Sequence, residues 1–317
     1  MDQNSNIVNI LFLGGAKRVS FARKIIAAGL TKGLKVNIFS FELYLDAPIA
    51  AVGTVIPGNK WGDPRILENL HDTVVKNGIN IILPFVDPAI GIASRYAQEY
   101  GDVWTPVVSP ELAEQLFDKK EAAALYGRLG LPIPVTYTGG RPHFPLIGKP
   151  RHGSASKGLI IVDSVSDFRR VLKMEEYMMQ AYIPKRKEYT VDAYVTMAGD
   201  VVCVSPRVRL EVLGGEVTRT VTVDDPDLTA LATECIVRLG LRGIVTLQFI
   251  KDLTTDEIML MEVNPRPGGG IVCSCHAGAD IPSLMFDDYL GKEISPIQDI
   301  KPGVLICRYF DETVFNV

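Results

Sequence analysis

The apolar positions of the first hundred residues follow two alternating periods. Continuous apolar runs, typical of strands buried on both faces, alternate with stretches whose apolar residues recur at helical spacing. The predicted strands are residues 7–13, 36–41 and 79–85, with a short strand near Val103. The predicted helices are residues 18–30, a segment in which Ile66, Leu67, Leu70 and Val74 share one face, and residues 90–100. This order predicts an α/β unit whose parallel sheet is covered on both sides.

The pattern changes after Pro106. One long helix is predicted over residues 111–129, with Asp118, Lys119 and Lys120 inside it. The elements predicted after it are strands at 146–150, 159–162 and 178–183, a helix at 166–173, strands at 189–197, 201–208 and 217–222, a helix at 227–239, and a hairpin of 243–251 with 257–263. We therefore expect a mixed α/β and α+β fold in three units, residues 1–105, 106–184 and 185–317.

Composition and charge exclude several classes of protein. The 317 residues include 33 Lys and Arg against 37 Asp and Glu, so the net charge of −4 argues against a nucleic-acid-binding protein. No apolar run approaches the roughly 18 residues of a membrane span. The five cysteines are too few for a secreted disulfide framework. We expect a cytoplasmic protein that contacts neither nucleic acid nor membrane.

The first turn of the N-terminal unit carries Gly14, Gly15 and Ala16 between a strand and a helix. Ligands bind at this edge of parallel sheets, and Glu42 could imitate the acid that holds a ribose in dinucleotide-binding proteins. However, the glycine spacing of that fingerprint is not met, so a tight turn without a cofactor is favoured. No phosphate-loop motif of the G-x-x-x-x-G-K-[ST] type is present.

A loop of small residues follows the apolar strand that ends at Lys149 and Pro150. Gly153 and Gly158 bound this loop, and Lys157 adds a second positive charge. Such a loop can bring backbone N–H groups against phosphate oxygens without a side-chain clash. A surface hairpin with incidental lysines is the alternative interpretation.

The segment that ends the last predicted hairpin favours a metal site. Glu262 and Asn264 are two residues apart on an extended strand and share one face, and Gln248 lies on the partner strand. Oxygen ligands of this kind suit Mg²⁺ held between protein and phosphates. Arg266 follows at once and can bind anionic oxygens. A merely solvated polar face is the alternative.

The ordered set of these motifs resembles the ATP-grasp family, and most closely its carbamoyl-phosphate-synthase-like and carboxylate–amine ligase members. The resemblance covers about residues 106–290, after a typical preceding α/β domain. It implies that ATP lies between two lobes and that Mg²⁺, or Mn²⁺ in its place, is held by Gln248, Glu262 and Asn264. The residues it assigns to ATP are Lys119, Lys149, Gly153, Ser154, Ser156, Gly158, Gln180, Ala181, Tyr182, Ile183 and Glu188.

Within that assignment, the lysines contact phosphates, residues 180–183 form a hinge beside adenine, and Glu188 holds the ribose. Arg266 lies near the transferred phosphoryl group. The chain departs from the family at Ala181, where the hinge often has an acidic residue, so adenine recognition is expected to depend on backbone groups. A basic run at residues 184–187 precedes Glu188 and is interpreted as a solvated loop.

Two other groups of residues are candidates for the substrate side of the cleft. Arg207 or Arg219 could hold a carboxylate by a bidentate pair, although a face of ion pairs is an equal alternative. Gly268 to Gly270 permit close backbone approach and suit the acceptor end. Residues 273–276, Cys-Ser-Cys-His, lack the partners of a zinc site or a nucleophile and are interpreted as small residues lining the pocket.

The resemblance implies a ligase that activates a small carboxylate as an acyl phosphate for attack by an amine or thiol, forming ADP. Two alternatives stay open: a phosphotransferase on the same scaffold, and a nucleotide-binding synthetase subunit that needs partner chains. A homodimer is expected only by analogy with the family.

Overall fold

A computed structural model describes residues 6–153 and 157–315 of the chain. The first segment is an α/β unit built on a parallel sheet of four strands in the order β3-β2-β1-β4. Its strands are β1 (Ile7–Leu13), β2 (Lys35–Glu42), β3 (Thr54–Pro57) and β4 (Ile81–Pro84). Its helices are α1 (Val19–Thr31), α2 (Ile66–Asn77) and α3 (Asp87–Glu99).

Two apolar cores cover the two faces of this sheet, which explains why its strands read as continuous apolar runs. Phe12 and Ile10 of β1 pack into a core with α1, whereas Leu11 and Leu13 pack into a separate core with α2 and α3. The predicted parallel sheet is therefore confirmed. The short strand expected near Val103 is only a parallel bridge between Trp104 and Ile81.

The long helix expected over residues 111–129 is wrong, because the chain breaks at Asp118. The structure has α4 (Pro110–Phe117) and α5 (Lys119–Arg128) in its place. Asp118 has an extended backbone, and its carboxylate accepts hydrogen bonds from the N–H groups of Lys120 and Glu121. Asp118 is therefore the N-cap of α5, and Lys119 is the first residue of that helix.

A small antiparallel sheet follows, in the order β5-β8-β6-β7. Its elements are β5 (Thr136–Tyr137), β6 (Leu146–Pro150), β7 (Ile160–Val162), α6 (Val165–Leu172) and β8 (Tyr177–Ala181). Phe168 and Val171 of α6 pack on Leu146 and Met179 of the sheet, so the helix covers one face of it.

The last segment contains a six-stranded antiparallel sheet in the order β13-β12-β9-β10-β11-β14. Its strands are β9 (Arg186–Val195), β10 (Val201–Leu213), β11 (Glu216–Thr222), β12 (Gly243–Asp252), β13 (Ile258–Asn264) and β14 (Leu305–Cys307). Its helices are α7 (Pro226–Leu239), α8 (Ile271–His276) and α9 (Ile281–Tyr289). Each of the three sheets lies inside one of the three segments proposed from the sequence.

Helix α9 joins the last segment to the first. Phe286 of α9 belongs to the same core as α1, and a side chain at Gly29 of α1 would collide with Val36 and approach the Phe286 ring. Neither α8 nor α9 is predicted from the sequence. Helix α8 has only six residues, whereas α9 has a signal that was missed, since Ile281, Leu284 and Met285 recur at helical spacing after the N-cap Asp280. No helix in the described part of the chain is long and apolar enough to cross a membrane.

Candidate active site

Most residues that the sequence assigned to a nucleotide line one cavity of about 260 Å³, which we call the first cavity. It lies between the small sheet and the six-stranded sheet. The predicted residues that line it are Lys119, Lys149, Gly153, Gln180, Ala181, Tyr182, Ile183, Glu188, Gln248, Glu262 and Arg266. Gly158 is not in its lining, and Ser154 and Ser156 lie outside the described residues.

Lys149 is a half-buried cation that lines the first cavity. It lies on β6, and its Nζ donates a 2.8 Å hydrogen bond to Gln180 Oε1 on the neighbouring β8. Burial lowers the pKa of Lys149 to about 8, although the nearby Glu262 carboxylate acts in the opposite direction and Lys119 adds to the lowering. A strongly desolvated ammonium of this kind gains much from an anionic ligand.

Lys119 is fixed at the mouth of the same cavity. Its Nζ donates a 2.6 Å hydrogen bond to the carbonyl of Gly153, and its backbone N–H donates to the carbonyl of Arg151. Gly153 has a φ of +118°, which favours glycine at the start of the loop. Gly153 is thus tied directly to Lys119.

Asp118 determines where Lys119 lies. Besides capping α5, its carboxylate pairs with the Arg151 guanidinium. Burial acts to raise the pKa of Asp118, but the hydrogen bonds from Arg151 and from the Lys120 N–H outweigh it and hold that pKa below its usual range. Asp118 therefore stays ionised and connects the start of α5 to the end of β6.

Asp118→Ala is expected to lower the free energy of unfolding by about 1–2 kcal/mol, because it removes an N-cap together with the partner of Arg151. Asp118→Asn, which keeps a capping oxygen, should lose less. Chemical denaturation of the three proteins measures the difference. Equal unfolding midpoints for Asp118→Ala and the wild type would contradict the capping role.

Residues 180–183 connect the two lobes along the wall of the first cavity. Gln180 is buried, and its amide donates to the Pro134 carbonyl and the Thr136 hydroxyl while its oxygen accepts from Lys149. The N–H groups of Ala181 and Tyr182 donate to the carbonyls of Val135 and Pro145. The N–H of Ile183 has no hydrogen-bond partner in residues 6–153 or 157–315, so it is free to bind a ligand acceptor.

The basic run before Glu188 is not simply a solvated loop, which corrects the sequence interpretation for Arg186. Its Nε donates a 3.1 Å hydrogen bond to Glu188, its Nη1 donates to the Ile183 carbonyl, and its guanidinium lies 5.2 Å from the Tyr182 ring. Arg186 lines the first cavity. Glu188 also pairs with Arg209 at 3.4 Å, so its carboxylate is held by two arginines.

The three predicted metal ligands meet where the cavities join. Gln248 lies directly across the ladder from Glu262, and Asn264 lies two residues further along β13. Glu262 lines the first cavity and a smaller third one, Gln248 the first and a second, and Asn264 the second and third. Each two of these residues thus line one cavity in common.

The donor set fits a cation that is shared with phosphates. Within the described chain, the half-buried Glu262 carboxylate has no hydrogen bond or ion pair to protein. The Gln248 oxygen accepts from Arg209 and the Asn264 oxygen from Arg266, which leaves each with a second lone pair. No cluster of three His, Cys, Asp or Glu side chains suited to a metal exists in the described residues, so phosphate or water oxygens must complete the shell of a Mg²⁺ ion.

Arg266 is held by a residue that the sequence analysis missed. Its Nε donates a 2.6 Å hydrogen bond to Asp87 Oδ1, at the start of α3 in the N-terminal unit. Asp87 lines all three cavities. No local motif marks Asp87, since it lies 179 positions from Arg266 in the sequence and only the fold brings the two together.

The second cavity, also about 260 Å³, lies beside the first and is rich in arginine. Arg18, Arg207, Arg209 and Arg266 line it together with Gly268, Gly269 and Gly270. The glycines are therefore at the cleft, as expected. Arg219 is exposed and lines none of the three cavities, so the sequence suggestion that it holds a substrate carboxylate is not supported.

Arg207 also needs a correction, because its guanidinium is already occupied. It is 2% exposed, and its Nε and Nη2 donate to the fully buried Asp192 at 2.8 and 3.3 Å. Its Nη1 donates to Thr220. Arg207 is thus one half of a buried ion pair, and binding a substrate carboxylate would require breaking that pair.

The two remaining motifs lie outside the cavities. Burial raises the pKa of Glu42, while hydrogen bonds from Ser40 and from the backbone of Ala16 and Gly15 oppose the rise, so this carboxylate binds the glycine turn itself. Of residues 273–276, the Ser274 hydroxyl donates to Asp192 and the Cys273 thiol to backbone carbonyls. They are packed into α8 and do not line any of the three cavities, contrary to expectation.

Comparisons with known proteins give a family match, a curated relative and several structures of similar fold. Residues 173–309 match the family described as ATP-grasp in the biosynthetic pathway with Ter operon. The C-terminal section of the carbamoyl phosphate synthase large chain of Methanopyrus kandleri is 22% identical over 270 residues, which are 75% of this chain and 49% of the relative. The chain thus spans about half the length of the curated relative that it matches.

Solved structures share the fold at low identity. The biotin carboxylase domain of 2-oxoglutarate carboxylase from Hydrogenobacter thermophilus has a TM-score of 0.73 and 16% identity, over 94% of this chain and 73% of that one. N5-carboxyaminoimidazole synthetase from Staphylococcus aureus has a TM-score of 0.73 and 14% identity, over 93% of this chain and 80% of that one. L-amino acid ligase from Bacillus licheniformis has a TM-score of 0.70 and 17% identity, over 93% of this chain and 77% of that one.

The family match over residues 173–309 and the shared fold agree with the ATP-grasp resemblance seen in the sequence. Among curated proteins, the chain is similar in sequence to the large chain of carbamoyl phosphate synthase.

Proposed function

We propose that this protein is an ATP- and Mg²⁺-dependent ligase that activates a small carboxylate as an acyl phosphate, which an amine or thiol then attacks. The observation that carries the proposal is the convergence of Lys119, Lys149 and the unpaired Glu262 on one cavity. Two cations and one free carboxylate match the charges of a triphosphate with its metal.

The nucleotide is assigned to the first cavity. Lys119 and Lys149 bind phosphate oxygens, and the Ile183 N–H donates a hydrogen bond to a ring nitrogen of adenine. Glu188 is oriented toward the ribose by Arg186 and Arg209. Lys119 also holds the carbonyl of Gly153, so its contact with phosphate would place Gly153 beside the nucleotide.

The chemistry proposed is two displacements. A substrate carboxylate oxygen attacks the γ-phosphorus and ADP leaves; the amine or thiol then attacks the acyl carbon and phosphate leaves. Mg²⁺, when bound at Glu262, Gln248 and Asn264, would neutralise charge on the transferred phosphoryl group. Arg266, held by Asp87, donates to the same oxygens, and closure over the first cavity excludes water from the acyl phosphate.

The relatives support this class of reaction. Two of the similar structures contain ADP, one of them as its magnesium salt, and a third is an L-amino acid ligase. We also propose the three units of residues 1–105, 106–184 and 185–317, since each contains one sheet. A homodimer is proposed by analogy with the biotin carboxylase domain, whose structure is a dimer.

A second candidate is a synthetase subunit that requires partner chains. It is favoured by the length of the curated relative, of which this chain covers about half. In that case the isolated protein would bind Mg·ATP but would not turn it over with free acids and amines.

The test is ADP release by the full chain with Mg·ATP, pooled small carboxylic acids, and pooled amines or amino acids. A ligase is expected to release ADP only with an acid present, and to form a new amide or thioester when the second pool is added. A stable phosphorylated alcohol would identify a phosphotransferase. ATP binding without acid-dependent ADP release would favour the subunit.

A further inference from the structure

Four arginines line the second cavity, and each of them forms an ion pair with a carboxylate of the protein. The pairs are Arg207 with Asp192, Arg209 with Glu188, Arg266 with Asp87, and Arg18 with Glu216. Glu188 and Glu216 each pair with a second arginine as well, Arg186 and Arg308. Either carboxylate can therefore release its arginine in the cavity to an anionic substrate and still keep a cationic partner.

Glu216 is the carboxylate best placed to do so. The side chains of Asp192, Asp87, Glu188 and Glu216 are 0%, 20%, 31% and 42% exposed. Glu216 also stands next to the Gly214-Gly215 turn that joins β10 to β11, whereas Asp192 lies in the middle of β9. Irregular pairing between β10 and β11 near this turn leaves the hairpin end less tightly held than a regular ladder.

The Arg18–Glu216 pair has the geometry of carboxylate recognition. Arg18 Nη1 and Nη2 donate to the two oxygens of Glu216 at 3.3 and 3.1 Å, which is a bidentate arrangement. Gly269 makes room for it, because a Cβ there would lie 2.1 Å from Glu216 Oε2 and 3.2 Å from Arg18 Nη1. The Arg18 side chain is itself only 13% exposed, so its charge faces the protein interior and the cavity.

Glu216 also forms an ion pair with a second cation. Arg308, in the segment after β14, donates to Glu216 Oε2 at 3.0 Å. The pKa of Glu216 is lowered to about 2, because the two arginines outweigh the effect of burial. An ionised Glu216 can therefore release Arg18 and keep Arg308, so the exchange need not leave a buried charge unpaired.

Arg18 does not line the cavity assigned to the nucleotide. It lines the second cavity but not the first, whereas Arg266 lines both. An anion on Arg18 is thus not the carboxylate that receives phosphate, which must reach the junction at Glu262, Gln248 and Asn264. Both groups belong to one substrate if it spans the cavity, which is small enough to hold only a small molecule.

We propose that the acid substrate is a dicarboxylate, with one carboxylate activated at the junction and the second bound by Arg18 in place of Glu216. This inference rests on the proposed ligase function and adds the substrate class. Glu216 acts as an internal competitor that keeps Arg18 paired until the substrate displaces it.

The test is calorimetric binding to the full chain with Mg·ADP present. The probes are succinate, glutarate and adipate, each compared with the monocarboxylate of the same length: butanoate, pentanoate and hexanoate. At least one diacid is expected to bind the wild type about tenfold or more tightly than its matched monoacid, since it gains a bidentate pair. Binding of no diacid, or no preference over the monoacids, would overturn the proposal.

Three variants assign the preference to this pair. Arg18→Gln should remove the preference, Arg18→Lys should keep only part of it, and Glu216→Gln should strengthen diacid binding about threefold or more while monoacid binding stays the same. Thermal unfolding checks that each variant is folded. An unchanged preference in Arg18→Gln and Arg18→Lys, or weaker diacid binding by Glu216→Gln, would overturn the proposal.

Failure of the ligase function is recognised separately, by ADP release. If no acid elicits ADP release but the diacid preference depends on Arg18, the binding site is supported and the ligase function fails. If monoacids and diacids elicit ADP release equally in the wild type and in Arg18→Gln, the ligase function is supported and the dicarboxylate inference fails.

Discussion

Glu262→Gln is expected to lower Mg²⁺-dependent ADP formation on the order of 1,000-fold, because it removes the only unpaired carboxylate that the described residues place at the junction of the cavities. The neutral amide preserves the volume of the side chain and a neutral oxygen ligand, but it cannot offset the charge of the cation. Steady-state ADP release over a Mg²⁺ titration measures the loss. Metal-free nucleotide binding should change little, since the lysines that face the phosphates are untouched.

Glu257→Gln is the matched control, because Glu257 lies at the exposed start of the same hairpin and does not line any of the three cavities. It should keep full activity. Glu262→Gln should also unfold at a temperature close to that of the wild type, since Glu262 gives up no hydrogen bond to protein in the described structure. Activity of Glu262→Gln within a few-fold of the wild type would remove the metal assignment.

The parts of the site that could be predicted are those in which one strand carries the signal. Glu262 and Asn264 share a face because strand side chains alternate, and the apolar residues around them imply burial whatever the partner strand is. Lys149 ends an apolar run and precedes a glycine-bounded loop, which is a local pattern as well. Local periodicity therefore places these residues without knowledge of the tertiary fold.

The contacts that close the site could not be predicted in this way. Asp87 reaches Arg266 across 179 residues, and Arg18 reaches Glu216 across 198. The sequence around Asp87 or Arg18 does not indicate the distant partner. Both ion pairs form only because the N-terminal unit packs against the six-stranded sheet. A family resemblance that begins at residue 106 does not supply them either.

The break at Asp118 is different, since the sequence does contain its signal. Asp118 followed three residues later by Glu121 is a helix N-terminus pattern, in which the cap accepts N–H bonds from the first turn. The helical spacing on both sides outweighed this pattern in the prediction of a single helix. The consequence is functional, because only the break places Lys119 at the start of a helix facing Gly153.

Lys149→Met is expected to weaken nucleotide binding about 10- to 100-fold at pH 7, and the difference from the wild type should shrink as the pH rises above 8. The pKa of Lys149 is lowered to about 8, mainly by burial, so the wild-type amine is charged below this pH and neutral above it. A triphosphate stabilises the charged form, so binding above pH 8 must take up a proton. Wild-type affinity should then fall by up to tenfold per pH unit, whereas that of Lys149→Met should stay level.

The burial of Lys149 also affects the stability of the fold. Its charge favours nucleotide binding but costs stability. A lysine with a folded-state pKa below its ordinary value makes folding release a proton, so the cost of burying its charge is fully present below about pH 8 and is relieved toward pH 10.5. Without nucleotide, Lys149→Met should therefore be at least as stable as the wild type at pH 7, although it binds ATP less well. Lys173→Met, at an exposed position after α6, is the control and should alter neither property. Fluorescent-nucleotide titrations from pH 7 to 10 measure the affinity of both proteins. If affinity depended on pH in the same way in the wild type and in Lys149→Met, the Lys149 charge would not contact the phosphates.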